Sequence, residues 1–455
     1  MPSRLPWDHA RLRRAAADIL AAGLRAADPD RLVRAHLRRQ GGFLLAAGQR
    51  YRLGRGRVVL IAAGKAAATM SRAAETVLGD HLAEGLAVDT APPARPLART
   101  RLIVAGHPVP DERGEEAARA VEALAHDLGE GDLLLLLLSG GASALLPAPC
   151  AGVSLADKAK TTALLLRTGA TIQELNAVRK HLSRLKGGGL AGAAAPARVV
   201  ALVLSDVVGD DLSTIGSGPV APDPTTYADA LAVLSERGLL TDVPPPVRAR
   251  LEAGLRGEAP ETPKPGDALF RRVSTLIVGS NRLTVEAAAR EARRQELHSL
   301  VLTTRLEGEA REVARVLVAI LRECVEAGRP ARPPVCLLAG GETTVTVRGN
   351  GHGGRNQELA VAAVDPLAGF PVPSVLASMA TDGIDGASDA AGGVVDRETQ
   401  KKARALGLAP PAHFLAENDS RNFLGPLGGL IRTGPTGTNV VDLTVLLAGG
   451  RGRPG

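Results

Sequence analysis

Six consecutive leucines, residues 133–138, run directly into the sequence Ser-Gly-Gly-Ala-Ser at residues 139–143. A short, uninterrupted apolar run is typical of a strand buried on both faces, which usually lies in a parallel sheet covered by helices. Two glycines after such a strand let the backbone turn tightly and approach a ligand, and the N–H groups that open the next helix favour an anion. The junction therefore indicates either an anion-binding loop or a plain strand-to-helix turn. Its candidate binding residues are Ser139, Gly140, Gly141 and Ser143.

Similar short aliphatic runs recur along the chain, separated by segments with a helical pattern. In the first half they occupy residues 57–64, 101–106 and 197–206. This alternation predicts a Rossmann-like, doubly wound parallel sheet in an α/β domain. Further strands are predicted at residues 274–281, 299–304, 335–347 and 375–383. The alternating Thr-Thr-Val-Thr-Val at residues 343–347 is typical of an antiparallel or edge strand, so the second sheet is predicted to be mixed.

The chain of 455 residues is longer than a single hydrophobic core usually supports, so two domains are expected. A segment rich in proline and charge, residues 240–267, suits a surface excursion or linker better than a sheet. We therefore predict an N-terminal Rossmann-like domain over residues 1–255 and a smaller C-terminal α/β domain over residues 256–455. Aromatic residues make up only 2% of the chain, so both cores are expected to be aliphatic.

The charge pattern and the cysteines narrow the class of protein. The net charge is +7, but arginines and acids are interleaved along the chain, which argues against binding of nucleic acid. The three cysteines lack the spacing of a metal knuckle, which fits a reduced cytoplasmic protein. The arginine-containing N-terminal segment lacks the apolar core of a signal peptide, and no apolar run is long enough to cross a membrane. A soluble protein is predicted, with an amphipathic helix that begins near Asp8.

Several cationic residues follow predicted strands or lie on one face of a predicted helix. Lys65 comes directly after the strand of residues 57–64, where ligands of α/β proteins bind, although a solvated surface lysine is the alternative. His107 lies in a rigid loop and could contact substrate or stabilise the loop. The segment 172–189 places polar residues at helical spacing before a Lys-Gly-Gly-Gly turn, which indicates an anion-facing surface or an ordinary solvated face. Its candidates are Asn176, Arg179, Lys180, Lys186 and Gly188.

Two loops after predicted strands are rich in aspartate. One contains Asp206, and the other contains Asp382, Asp385 and Asp389. Because crowded carboxylates repel one another, Mg²⁺ bound by one or two of them together with phosphate oxygens is the economical explanation. Asx turns and helix caps are the structural alternative for about half of these aspartates. Asp206 is also the favoured candidate for a general base.

The glycine loop of residues 349–354 leads to Arg355 and Asn356 at the start of a helix, where a guanidinium could reach a phosphate. These glycines do not form a dinucleotide-binding fingerprint, and neither a Walker motif nor a protein-kinase signature is found in the sequence. The combination of cations, glycine loops and acidic loops nevertheless suits phosphoryl transfer. Further candidate substrate- or phosphate-binding residues at strand ends and in polar loops are Asn281, Glu342, Thr436 and Thr438.

The motifs AAGKAA, GHPVPDE, SGGASALL, ELNAVRKHLSRLKGGGLA, LSDVVGDDLSTIGSGPVAPDPTT, GGETTVTVRGNGHGGRNQELA, ATDGIDGASDAAGG and TGPTGTNV occur in this order. In them the chain resembles the class II glycerate 2-kinases that carry a MOFRL domain, over about residues 10–448. The resemblance implies ATP-dependent phosphorylation of D-glycerate to 2-phosphoglycerate with Mg²⁺, in a cleft between two domains. It also implies that Lys65 and Arg355 are essential.

Two other functions stay open at this stage. Some members of this family carry the name hydroxypyruvate reductase, but a dehydrogenase would need a dinucleotide fingerprint with a ribose-binding acid, and the sequence offers no good one. A binding module for sugar acids would not need two acidic loops beside cationic residues. The expected partners are therefore the small molecules D-glycerate and ATP, without nucleic acid or membrane. Assembly as a homodimer is left open.

Overall fold

The computed structural model describes residues 7–54, 56–93 and 95–450. Two compact units are found. One unit is Pro29–Val278, and the other combines the residues up to Asp28 with those from Gly279 onwards. This division differs from the boundary predicted between residues 255 and 256 in two ways: residues 256–278 belong to the unit of the first sheet, and the first helix packs with the C-terminal part of the chain.

The strands are β1 (Leu37–Gln40), β2 (Phe43–Ala46), β3 (Gln49–Arg52), β4 (Val58–Ala63), β5 (Leu82–Asp89), β6 (Thr100–Val104), β7 (Leu133–Leu138), β8 (Arg198–Leu204), β9 (Val273–Gly279), β10 (His298–Leu306), β11 (Val335–Gly341), β12 (Ser374–Ala380), β13 (Gly392–Asp396), β14 (Leu430–Ile431) and β15 (Asp442–Ala448).

The α-helices are α1 (His9–Ala26), α2 (Pro29–His36), α3 (Ala67–Leu78), α4 (Glu112–His126), α5 (Ala142–Leu145), α6 (Leu155–Arg167), α7 (Ile172–His181), α8 (Gly189–Ala194), α9 (Tyr227–Glu236), α10 (Pro245–Leu255), α11 (Asn281–Arg294), α12 (Ala310–Ala327), α13 (Arg355–Ala362), α14 (Val364–Ala368), α15 (Thr399–Ala405), α16 (Pro411–Ala416) and α17 (Ser420–Leu424). Short 3₁₀ helices cover Gly79–His81, Ile215–Ser217 and Ala268–Arg272.

The unit Pro29–Val278 is built around a six-stranded sheet in the order β6-β5-β4-β7-β8-β9. The pairs β5–β6, β4–β5, β4–β7 and β7–β8 are all parallel, which confirms the predicted parallel sheet. From β4 the chain first builds outward to β5 and β6, and it then returns to the other side of β4 with β7. The sheet therefore changes winding direction between β4 and β7, and ligands of open α/β sheets bind at such a switch point.

The leucine run forms strand β7, and all six of its side chains are buried. It pairs in register with β4 on one side and with β8 on the other, so it lies in the interior of the sheet. Leu134, Leu136 and Leu138 pack into one core with helix α4. Burial on both faces is the physical reason that the run contains no alternating polar residues.

A separate cluster of helices in the same unit contains the segment that the sequence suggested as a linker. Helix α10 lies within residues 240–267, and its Val247 and Leu251 are fully buried. They pack with Leu234 of α9 and with Leu165 of α6. The proline-rich composition hid this helix, because two prolines at its start are compatible with a first helical turn. The segment is therefore part of a core and is not a linker.

The second unit contains a mixed six-stranded sheet in the order β10-β11-β15-β12-β13-β14. Strands β10 and β11 are parallel, whereas β15 runs antiparallel to both β11 and β12. The predicted mixed sheet is confirmed, but its predicted cause is wrong, because β11 ends at Gly341 and residues 343–347 do not continue it. Instead, the Thr344 N–H donates to the Gly308 carbonyl, and the Thr346 N–H donates to the Glu309 carboxylate.

Two features near the N-terminus complete the fold. Helix α1 begins after Asp8, whose carboxylate accepts a hydrogen bond of 2.7 Å from the Arg11 N–H, as the amphipathic pattern predicts. Its apolar face, including Leu12 and Ile19, packs against α11 and the mixed sheet. Strands β1, β2 and β3 form a small antiparallel sheet that was not predicted. Within the described ranges, no helix combines the length and apolar character needed to cross a membrane.

Candidate functional site

Lys65 and the glycine loop of residues 139–143 meet at the switch point of the parallel sheet. Lys65 follows β4, the loop follows β7, and the two strands are paired neighbours. The Lys65 N–H donates to the Gly140 carbonyl at 2.8 Å, and the Ser139 hydroxyl accepts from the Ala66 N–H at 3.0 Å. The sequence predicted each of these features alone, and the structure brings them together.

Asp206 and His107 surround the two glycines of this loop. A Cβ at Gly140 would overlap the Asp206 carboxylate, so glycine is required there by the close approach of that side chain. A Cβ at Gly141, which has a φ of +89°, would lie 3.2 Å from His107 Nε2 and 3.5 Å from Lys65 Cγ. Burial and, secondarily, the Lys65 charge lower the pKa of His107. His107 is therefore neutral at physiological pH and can accept or donate a hydrogen bond.

The helix that follows the loop is shorter than the sequence argument required. Helix α5 contains only four residues, Ala142–Leu145, so it offers no appreciable helix dipole for an anion. Its Ser143 hydroxyl is 2.9 Å from the Ser217 hydroxyl, which in turn donates to Asn176 Oδ1 at 3.0 Å. The Asn176 Nδ2 group is buried and finds no partner among the described residues. The short helix therefore does not by itself make this loop an anion site.

Buried cations lie beside this loop. The Lys186 ammonium donates to the Ser143 carbonyl at 2.8 Å and to the Leu146 carbonyl at 3.3 Å. Lys158 donates to the Pro147 carbonyl, and Arg179 lies on the neighbouring helix α7. Burial lowers the pKa of all three groups, to about 7 for Lys158. Lys158 was missed in the sequence, where its position on the buried face of α6 is the only signal.

Two other predicted residues of the segment 172–189 have structural roles. The Lys180 ammonium pairs with the buried Asp223 carboxylate at 3.2 Å, and Lys180 also lines a pocket of about 280 Å³ together with Lys186 and Glu261. Gly188 has a φ of +85° and donates its N–H to the Gly218 carbonyl at 2.7 Å, which shapes the turn before α8. A Cβ at Gly188 would lie 3.0 Å from the Phe270 ring. Lys180 and Gly188 therefore have partners within the fold, and their predicted part in an anion-facing surface stays a prediction.

In the other unit, Arg355 opens helix α13 and is held by two carboxylates. Its Nε and Nη2 donate to Asp442 at 2.6 and 2.9 Å, and its Nη1 pairs with Glu342 at 2.7 Å. Burial, the largest single influence, lowers the pKa of Arg355, but the hydrogen bonds that it donates to Asp442 and the charges of Asp442, Glu342 and Asp385 together raise the pKa above its ordinary value. Burial raises the pKa of Asp442 to about 6, so the ion pair is intact at neutral pH. Glu342 was predicted as a binding residue, and it is a partner of Arg355.

The acidic loop after β12 uses two of its three aspartates in the fold. The Asp385 carboxylate accepts from the Asn356 and Gln357 N–H groups at 3.1 and 2.9 Å and so caps α13. Asp389 is exposed and pairs with Arg421 at 2.7 Å, which lowers its pKa to about 2. These contacts realise the helix-cap alternative, and they leave the metal prediction with Asp206 and Asp382. No group of three or more histidine, cysteine, aspartate or glutamate side chains arranged to hold a metal occurs in the part of the chain that the structure describes.

The side chains of the remaining predicted residues of this unit form hydrogen bonds within the fold. Asn281 Nδ2 donates to the Val440 and Asp442 carbonyls at 3.0 and 2.8 Å. The Thr436 hydroxyl donates to the Thr381 carbonyl at 2.6 Å, and the Thr438 hydroxyl donates to the Ala27 carbonyl at 2.7 Å. Asn356 links Asp385 to Ser378. These contacts fix the four side chains within the fold, and Asn281 also contacts the strand that carries Asp442. Their predicted binding of substrate or phosphate stays a prediction.

Comparisons with known proteins give a consistent result. Residues 15–252 match the family described as Domain of unknown function (DUF4147), and residues 335–442 match the MOFRL family. The chain is 41% identical to a glycerate 2-kinase of Pyrococcus horikoshii, over 96% of this chain and 97% of that protein. The crystal structure of a glycerate kinase from Thermotoga maritima matches with a TM-score of 0.85 and 40% identity, over 96% of this chain and all of that one. A relative from Agrobacterium vitis, 42% identical over 87% of this chain and 88% of its own length, carries a provisional hydroxypyruvate reductase name.

Proposed function

The chain belongs to the glycerate kinase family in which a DUF4147 region precedes a MOFRL region, and we propose that it phosphorylates D-glycerate with ATP. The proposed product is 2-phosphoglycerate, in keeping with the name of the Pyrococcus horikoshii relative. In this reaction the glycerate hydroxyl oxygen bonds to the γ-phosphorus, the bond from that phosphorus to ADP breaks, and a base receives the hydroxyl proton.

The observation that carries the proposal is the meeting of Lys65 with the loop of residues 139–143 at the switch point of the sheet. Phosphoryl transfer needs little covalent help from a protein, but it does need positive charge around the moving phosphoryl group and fixed positions for donor and acceptor. The Lys65 ammonium would supply charge, and the glycine loop would admit a substrate close to the backbone. Asp206, which packs over Gly140, is the proposed base.

Arg355 is proposed to stabilise negative charge on the phosphoryl group. The bidentate hydrogen bonds from Arg355 to Asp442 fix the plane of the guanidinium. The guanidinium is therefore already oriented before the phosphoryl group arrives. Glu342, which is half-exposed, holds the remaining edge and would be displaced by a more highly charged phosphate. Asp442 is accordingly a positioning residue in this scheme.

Mg²⁺ is proposed to arrive with ATP rather than to reside in the protein. The described residues provide no cluster of three metal-ligating side chains, which agrees with the habit of Mg²⁺ to bind one or two carboxylates and complete its shell with phosphate oxygens and water. Asp206 is the carboxylate beside the glycine loop, and Asp382 is the remaining candidate in the other unit. When bound, the ion would neutralise phosphate charge.

The assay is incubation with D-glycerate, ATP and Mg²⁺, with ADP release followed by coupled oxidation of NADH and the product identified by NMR. We expect ADP release and 2-phosphoglycerate. A parallel incubation with hydroxypyruvate and NADH tests the reductase alternative, for which the residues after β4 provide no dinucleotide fingerprint. NADH consumption there without ADP release in the first assay would overturn the proposal.

Two variants test the site. Lys65→Ala and Arg355→Ala should each lower kcat by roughly 100-fold or more, because each removes a charge from the proposed transition state. Matched controls are Lys401→Ala and Arg404→Ala, which make the same substitutions at exposed positions. Circular dichroism and thermal unfolding confirm folding of each variant. Near-normal turnover in both site variants would remove Lys65 and Arg355 from the mechanism.

A further inference from the structure

A pocket of about 670 Å³ lies beside the glycine loop, within the unit Pro29–Val278. Its walls come from helix α6, from residues 107–110, from residues between Gly141 and Pro147, and from Arg179 and Lys186. Since Gly141 and His107 belong to its lining, the pocket is continuous with the position where Lys65 meets the loop. A ligand in it could present one end to that loop.

The pocket is lined by cations without a carboxylate to balance them. Lys158, Arg179 and Lys186 line it together with the exposed Lys160, and its lining contains no aspartate or glutamate. Among the described residues, the ammonium groups of Lys158 and Lys186 donate only to backbone carbonyls, although each has three donors to satisfy. A buried charge without a counter-ion is costly, so this cluster suits a bound anion.

Lys180 provides the contrast within the same fold. It is as buried as Lys186, and it pairs with the Asp223 carboxylate at 3.2 Å. Lys158 and Lys186, in contrast, donate to backbone carbonyls of the described residues and form no such ion pair with a carboxylate there. Burial is the main cause of the lowered pKa of Lys186, and repulsion from Lys158 and Arg179 lowers the pKa further. A lowered lysine pKa is what we expect of a cationic site without its anion.

The size and the apolar walls of the pocket select among anionic ligands. Leu155, Leu166 and Val109 line it, and the side chains of Leu166 and Val109 are 59% and 69% exposed. Glycerate has only three carbons and no apolar surface to cover these walls. A nucleoside triphosphate combines a chain of phosphates with a flat base, and a volume in the range of roughly 300–1,000 Å³ is typical of sites for ligands of that size.

We infer that this pocket holds the nucleoside triphosphate, with Lys158, Arg179 and Lys186 around its phosphates and the walls of Leu155, Leu166 and Val109 against its base. The inference rests on the proposed kinase function. It leaves the loop of residues 139–143 and Lys65 to the glycerate and to the phosphoryl group that is transferred. Sequence motifs alone did not separate the two substrates.

The first test is binding of the non-hydrolysable analogue AMP-PNP with Mg²⁺ by isothermal titration calorimetry. Leu166→Glu places a negative charge in the wall without disturbing a core, because the side chain is exposed. We expect it to weaken AMP-PNP binding by roughly 5- to 10-fold at low ionic strength. Leu406→Glu is the matched control, since Leu406 is 57% exposed and lies in the other unit, and it should leave binding unchanged.

The second test is Lys158→Met, which keeps the length of the side chain and removes its charge. We expect a loss of roughly 10- to 100-fold in AMP-PNP affinity. Lys401→Met carries the same charge change at an exposed position and should bind normally. Unchanged AMP-PNP affinity in both pocket variants would overturn the assignment, and so would a selective loss of glycerate binding.

Because these measurements follow binding, they are independent of turnover. A wild-type protein that phosphorylates glycerate while both pocket variants bind AMP-PNP normally would retain the proposed function and lose the pocket assignment. A wild-type protein that binds AMP-PNP through the pocket but releases no ADP with D-glycerate would lose the proposed function and keep the pocket.

Discussion

Binding of ATP to the pocket of Lys158 should take up protons from solution. Burial lowers the pKa of Lys158 to about 7, from an ordinary value of 10.5. The groups that face it are Cys150, Arg179, Arg184 and Glu115, with Lys186 as a further cation. Only Glu115 among them is a carboxylate, and it pairs with Arg119 at 3.0 Å. A phosphate beside this ammonium would favour the protonated form and raise the pKa.

The size of the effect follows from that value. At pH 8 a group with a pKa of about 7 is protonated in about one molecule in ten, so its full protonation on binding takes up about 0.9 proton. Between pH 7.5 and pH 9 the affinity should fall by roughly 20- to 25-fold, or about 2 kcal/mol. The terminal phosphate of the nucleotide can also exchange a proton, so the contribution of the lysine is the difference between the wild type and Lys158→Met. Lys186, whose pKa is also lowered, would add to the uptake.

Calorimetric titration of AMP-PNP at pH 8 in two buffers with different ionisation enthalpies measures the uptake directly. A series from pH 7.5 to pH 9 measures the change in affinity. Lys158→Met should show reduced uptake and a flatter pH dependence, whereas Lys401→Met should behave as the wild type. Uptake of less than about 0.3 proton at pH 8, together with an affinity constant within twofold across the series, would refute the reasoning.

Three further predictions concern stability and the site. Lys158→Met should raise the free energy of unfolding of the ligand-free protein by roughly 2–4 kcal/mol at pH 6.5 and by little at pH 10. A lysine whose pKa is lowered in the folded state destabilises the fold below that pKa, and this penalty disappears as the pH rises toward the ordinary pKa. Urea unfolding at the two pH values measures the difference, and destabilisation at pH 6.5 would contradict the prediction. Asp385→Ala should lower the free energy of unfolding by roughly 2 kcal/mol, because helix α13 loses its cap. The Mg²⁺ concentration that half-activates the enzyme should not change, and a higher Mg²⁺ requirement would show that Asp385 is a metal ligand. Gly141→Ala should lower the free energy of unfolding by roughly 1–2 kcal/mol, since alanine disfavours the φ of +89°. It should also raise KM for glycerate, since the added Cβ would approach His107. An unchanged KM would show that the loop does not contact glycerate.

The sequence predicts best those features that correspond to a recognisable pattern of neighbouring residues. Strands β4 and β7 are continuous apolar runs, and each is followed by a polar motif, so the residues of the switch point could be predicted before their pairing was known. The local sequence does not distinguish Lys158 from a surface lysine, because one charged residue in an amphipathic helix usually faces solvent. Its importance depends on the packing of α6 against residues 143–147, which local sequence does not determine.

Long-range contacts account for most of the other differences. The partner of Arg355 is Asp442, 87 residues away, and the first helix packs with residues beyond 280. Periodicity within a window predicts that α1 is amphipathic, but it does not say which apolar surface covers it. For the same reason the acidic loop could be predicted as polar, while the choice between a metal site and a helix cap depended on α13 beginning beside Asp385.

The position and the chemistry of the glycine loop after the leucine strand have different physical origins. Its position follows from the sheet, because a buried parallel strand at a switch point must end at the edge where ligands bind. Its chemistry does not follow from the glycines, since α5 is too short to offer a helix dipole and the Lys65 N–H is already engaged with the Gly140 carbonyl. The positive charge near the loop comes from side chains distant in sequence, at positions 65, 158, 179 and 186. The glycines therefore allow the close approach of a substrate, and the lysines and the arginine provide the attraction.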